Sequence, residues 1–127
     1  MSGITISGLG QVAVGVADLD RAIAFYRDML GLRFLFRAPP GLAFFDCGGV
    51  RLMLDVPLGA GKSSILYFKT VDIMTVFGAL AAKGAEVVQK PHKIAPMPDH
   101  DLWMGFFKDS EGNTLALMEE RPKPVAV

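Results

Sequence analysis

From Gly10 the chain alternates along Gln11-Val12-Ala13-Val14-Gly15-Val16. Val12, Val14 and Val16 point one way, and Gln11, Ala13 and Gly15 the other, which predicts a strand with one bulky apolar face. The period then changes. Leu19, Ile23, Tyr26 and Leu30 fall on one helical stripe, with Ala22, Phe25 and Met29 beside it. Asp18 reads as the N-cap of a helix from Leu19 to about Leu30, and Gly31 as its C′ residue. Strands are predicted at Arg33–Arg37, Leu42–Cys47 and Val50–Val56, with Pro39-Pro40-Gly41 and Gly48-Gly49 as turns. After a Gly/Pro/Ser stretch from Pro57 to Ser64 the order restarts. Ile65–Thr70 reads as a strand, Asp72 as a cap, and Ile73, Val76, Phe77 and Leu80 as a helical stripe stopped by Gly84. Glu86–Gln89, Trp103–Lys108 and Thr114–Glu119 read as closing strands. Pro91–Leu102, with three prolines and both histidines, reads as a long polar loop.

The two halves are an internal repeat of βαβββ units. Asp18 and Asp72 lie 54 positions apart, and Gly31 and Gly84 lie 53 apart. Phe44-Phe45 matches Phe106-Phe107 at an offset of 62. Gly49 to Leu54 matches Gly112 to Leu117 at an offset of 63. The offset grows at the segment around His92 to His100. The fold class expected is α+β, one domain over 1–127, with modules at about 9–57 and 64–120.

Val16-Ala17-Asp18-Leu19, Phe25-Tyr26 and Leu30-Gly31-Leu32 resemble a signature of the vicinal oxygen chelate superfamily. This is the glyoxalase, bleomycin-resistance and extradiol-dioxygenase group. Phe106-Phe107-Lys108-Asp109-Ser110-Glu111-Gly112-Asn113 is similar to its closing turn, so the resemblance runs from about Leu9 to Glu120. It implies that the two modules form an open-barrel cavity, with helices on the convex side and ligand on the concave side. It also implies four metal-ligand positions, one on the first and one on the last strand of each module. Counted through the repeat, they fall on Gln11, Met53, Ile65 and Ala116. Only Gln11 has a hard donor, and Met is a soft ligand. No metal is therefore expected there, and no cofactor. A shift of one residue would substitute only leucines on the last strands.

Of 127 residues, 13 are basic and 13 acidic, so there is no net charge to attract nucleic acid or an anionic membrane. With 51% hydrophobic and 20% charged residues the chain is not disordered. No apolar run approaches the 18 or so residues of a membrane span. MSGITISGLG has neither the basic nor the apolar region of an export signal. A single cysteine, Cys47, makes no internal disulfide, which fits a cytoplasmic location. The tail from Arg121 is Pro-interrupted and expected to fray. Gly61-Lys62-Ser63 imitates the end of a phosphate-binding loop, but Val56 stands where that motif needs glycine.

His92 and His100 are the most individual chemistry. Three readings stand for them: surface residues, cavity residues that hydrogen-bond a polar ligand, or ligands of a relocated metal with Asp99 or Asp101. Their spacing matches no metal motif. Tyr67, Trp103, Phe107 and Met53 could wall a small-molecule site or simply pack the core. Arg51 and Asp55 share the parity of Met53, and an inward Arg would favour an anionic ligand. Ser63, Ser64 and Cys47 have no neighbouring histidine to support nucleophilic catalysis. The expected ligand-binding residues are Gln11, Met53, Tyr67, His92, His100 and Trp103. The expected function is small-molecule binding without the family metal, in a homodimer. The alternative is a lyase, isomerase or dioxygenase with an incomplete or relocated metal site.

Overall fold

The computed structural model describes residues 3–5 and 7–124. The chain divides into two compact units, Met1–Lys62 and Ser63–Val127. In the first, strand β1 (Gln11–Gly15) leads into helix α1 (Leu19–Ala24), and β2 (Arg33–Ala38), β3 (Leu42–Cys47) and β4 (Val50–Asp55) follow. In the second, β5 (Leu66–Lys69) leads into α2 (Ile73–Ala82), then β6 (Glu86–Pro96), β7 (His100–Lys108) and β8 (Thr114–Pro122). Each unit is a four-stranded sheet with the same neighbour order, β1-β4-β3-β2 and β5-β8-β7-β6. The fold is α+β, and each unit is βαβββ.

The repeat holds at the level of register. Ala13 pairs with Met53 across β1 and β4 in parallel. Tyr67 pairs with Ala116 across β5 and β8, also in parallel. The offsets of 54 and 63 read from the sequence carry one pair onto the other.

Both capping aspartates act as expected. The Asp18 carboxylate accepts the Arg21 N–H at 3.0 Å, and the Asp72 carboxylate accepts that of Thr75 at 3.3 Å. Such caps contribute about 1 kcal/mol each. Packing contributes more, since each large buried apolar side chain is worth ~1.5–3 kcal/mol. In the first unit Val14, Val16, Ala22, Ile23, Tyr26, Phe45, Leu52 and Leu54 are buried. In the second, Ile73, Phe77, Leu80, Phe107, Leu115 and Leu117 are buried. The valine face of β1 is thus its core face.

Two glycines mark close approaches. A Cβ on Gly15 would lie 1.8 Å from the carbonyl oxygen of Gly59, so the segment after β4 can cross the end of β1 only because Gly15 has no side chain. A Cβ on Gly105 would lie 2.8 Å from the Phe77 ring, so α2 seats that ring where β7 presents none.

Three expectations need correction. The first helix does not stay α-helical to Leu30, because Phe25–Met29 is a π turn. Its wider spacing lets the consecutive Phe25 and Tyr26 both stay buried, with rings 5.5 Å apart. The segment Pro91–Leu102 is not a long loop. Most of it extends β6 and β7 into a hairpin, which places His92 and His100 on strands. Prolines are tolerated there because β6 is an edge strand, and its pairing shifts register at three places, between Val87 and Gln89, Gln89 and His92, and Lys93 and Ala95. Nor does the chain leave the sheet at Arg121, since β8 runs to Pro122. The end of the tail, Val125 to Val127, lies outside the described residues.

Candidate functional site

The sheet face opposite α1 carries the first unit's polar and aromatic side chains. Gln11 and Arg51 are register partners, as are Asp46 and Arg51, Phe44 and Met53, and Phe36 and Phe44. Register partners share a face. The Gln11 amide nitrogen reaches the Met53 sulfur at 3.7 Å. Phe36 and Phe44 stack with centroids 4.7 Å apart. The Arg51 guanidinium lies over both rings, 6.0 Å from the Phe36 centroid and 5.6 Å from that of Phe44. Phe44 is buried and Phe36 is 45% exposed. The patch therefore runs across all four strands, from an amide and a thioether to a cation-capped aromatic pair.

In the second unit the face opposite α2 carries Tyr67, whose ring meets Phe106 edge-on at 6.0 Å. Strand β7 pairs with β8 without a break from His100 to Lys108, so His100, Leu102, Met104 and Phe106 share that face. His92 joins it as the partner of Met104, with its Nδ1 3.0 Å from the Lys90 carbonyl. His100 is held from both sides. Its Nδ1 lies 2.6 Å from an Asp99 carboxylate oxygen, and its Nε2 lies 3.4 Å from a Glu120 oxygen. Glu120 also pairs with Lys69 at 3.0 Å. The hydrogen bond from His100 holds the Asp99 carboxyl below its ordinary range, and Lys69 does the same for Glu120. The two ring nitrogens point in different directions, so these carboxylates diverge rather than converge on one ion. Asp101 lies on the opposite strand face and pairs with Lys93 and Lys123 at 3.5 and 3.9 Å.

Trp103 does not join Tyr67 and the histidines. It shares the α2 side of β7 with Gly105 and Phe107. The Arg121 guanidinium caps its ring at 4.3 Å. Arg121 in turn meets the buried Glu119 at 3.3 Å, and Glu119 accepts the Ile73 N–H at the start of α2 at 3.0 Å. The arginine and this amide hold the Glu119 carboxyl below its usual range. Sequence parity alone could have separated Trp103 from His100. A groove of ≈ 660 Å³ runs along Lys69, Thr70, Val71, Glu119, Glu120 and Pro122. None of the six residues expected to bind ligand lines it.

The closing turn is structural. One Asp109 oxygen accepts the N–H groups of Glu111 and Asn113, both at 2.8 Å, and its other oxygen accepts the Asn113 side-chain amide. That explains why this turn has Asp and Asn at those places. A family model described as Glyoxalase/Bleomycin resistance protein/Dioxygenase superfamily matches residues 8–117. The chain belongs to this superfamily.

Among superfamily relatives, metallothiol transferase FosB of Lysinibacillus sphaericus (strain C3-41) is 29% identical over 73 residues, 58% of this chain and 51% of that protein. The chain spans about half the length of the first curated relatives it matches. TnmS3, an antibiotic binding protein from Streptomyces sp. CB03234, superposes with a TM-score of 0.75 at 23% identity, over 92% of this chain and 98% of that one. Lactoylglutathione lyase from Agrobacterium tumefaciens superposes with a TM-score of 0.73 at 24% identity, over 90% and 94%. These two likenesses concern the fold.

The superfamily resemblance implied a metal at the four counted positions. The first unit supplies an amide and a thioether there, and the second supplies the hydrocarbons of Ile65 and Ala116. That donor set does not fit a divalent ion. Among the described residues no group of three or more His, Cys, Asp or Glu could hold one elsewhere. No described helix is long and apolar enough to cross a membrane. The Arg51 cluster was only half legible in the sequence. Parity put Arg51 beside Met53, but Phe44-Phe45 gave no sign of which ring lay on that face until pairing with β2 and β4 fixed it.

Proposed function

We propose that this protein binds a small molecule without the superfamily's metal, as an antibiotic-sequestering or ligand-sensing homodimer of the cytoplasm. One observation carries the reading. The positions that would hold a metal offer an amide beside a thioether in one unit and hydrocarbon in the other, while the same sheet faces carry stacked and exposed aromatic rings. Such faces bind by apolar contact and aromatic stacking, oriented by a few polar groups. The antibiotic-binding relative of the same fold supports the reading.

The test has two arms. Protein expressed with added Zn, Mn, Ni and Fe is expected to contain well under one equivalent of each by elemental analysis. Calorimetric titration with polycyclic aromatic antibiotics is expected to give saturable binding that EDTA does not change. A stoichiometric metal whose removal abolishes ligand binding would overturn the reading in favour of a lyase, isomerase or dioxygenase. For assembly, sedimentation at micromolar concentration is expected to give a dimer, with an interface above about 1,000 Å². A monomer at every concentration would count against it.

A further inference from the structure

The patch opposite α1 contains a charge with no carboxylate against it among the described residues. Among the described residues Arg51 makes no ion pair, although Asp46 is its register partner on β3. Its guanidinium instead lies over Phe36 and Phe44. An arginine laid over aromatic rings keeps its N–H edges available, and those edges match a carboxylate in bidentate fashion. Phe36, at 45% exposed, offers beside them a ring surface large enough to stack on. Gln11, the neighbour of Arg51 on β1, adds an amide at the same edge.

Taking the small-molecule reading as its basis, we propose that the ligand is a planar aromatic acid. Its ring stacks on the exposed Phe36, which the buried Phe44 backs, and its anionic group is bound by Arg51. The recognition is charge-selective, because a neutral aromatic can use the rings but not the guanidinium. Asp46 is the opposing charge on the same face, and it weakens the site for an anion. Met53, the register partner of Phe44, borders the aromatic pair and reports on its occupation.

The probes are 2-naphthoate and its neutral isostere 2-naphthamide, titrated calorimetrically into the 127-residue chain at low salt. Wild type is expected to prefer the acid by about tenfold, the scale of one exposed charge-assisted bidentate contact. Arg51→Gln is expected to reduce that preference to within twofold. Phe36→Ala is expected to weaken both probes alike. Asp46→Asn is expected to strengthen the acid alone by about twofold, the scale of one exposed charge. This variant gives the opposite sign if Arg51→Gln fails to fold. In protein labelled at methionine methyl groups, the Met53 signal is expected to move on adding naphthoate.

Equal affinity of wild type for the two probes overturns the proposal. So does a preference that survives Arg51→Gln, an unmoved Met53 signal, or no naphthoate binding at all. Binding of naphthamide as tight as that of naphthoate would leave metal-free small-molecule binding standing. A stoichiometric metal required for binding would instead remove the reading on which the proposal rests.

Discussion

Glu119 is a buried carboxylate satisfied by two donors, the Ile73 N–H and the Arg121 guanidinium. Because Arg121 also covers Trp103, one acid ties the start of α2 to β8 and β7. The two donors lower its folded pKa below the unfolded value of about 4.3. A carboxyl with a depressed folded pKa contributes stability that is present above the unfolded value and lost as pH falls through the folded one. Glu119→Gln is expected to lose about 1 kcal/mol at pH 7, because the amide oxygen still accepts the Ile73 N–H while Arg121, 41% exposed, exchanges its partner for water. It should also show a shallower fall in stability below about pH 4.3 than wild type. Urea unfolding at pH 7 and through the acid range checks both. At this scale the capping roles of Asp18 and Asp72 were readable from the sequence, because a cap is a local pattern. The role of Glu119 was not, because its partner Ile73 lies far away in sequence.

At the scale of elements, period decided what was legible. The valines of β1 face the core because strand alternation holds over the whole segment. The segment of β6 and β7 reads as a loop because Pro91, Pro96 and Pro98 look like breakers, whereas the edge strand with shifted register accommodates Pro91 and Pro96, and Pro98 lies in the bend between the strands. The same irregularity has a dynamic consequence. An edge strand with three register shifts has fewer protected amides than a strand paired on both sides, as β8 is by β5 and β7. Native-state hydrogen exchange is therefore expected to be faster across Lys90–Ile94 than across Leu115–Glu119. Equal protection would mean that the outer hairpin opens only with the sheet. The faces of β7 were legible in principle, and they separate Trp103 from His100. Burial was the missing information, since nothing in the local sequence says which face packs on α2.

At the scale of the whole chain, the repeat was the strongest signal, and the parallel registers of β1 with β4 and β5 with β8 reproduce it. The candidate site was less legible. A counted position says which residue stands there, but the clustering of Arg51, Phe36 and Phe44 depends on the pairing of three strands. The repeat also bears on how this chain differs from a metal-binding relative. Ala116 is fully buried, and its cross-strand partners are Tyr67 and Phe106. A glutamate there would need both volume and neutralisation. Ala116→Glu is expected to lower stability by about 1–3 kcal/mol from crowding alone, with a further cost for the buried charge, checked by thermal melting with and without Zn. Wild-type stability in that variant, or its rescue by Zn, would contradict this. The small side chain at that position thus acts as a lock: the space between Tyr67 and Phe106 is closed to a carboxylate, so installing an acidic ligand there requires several coordinated changes rather than one.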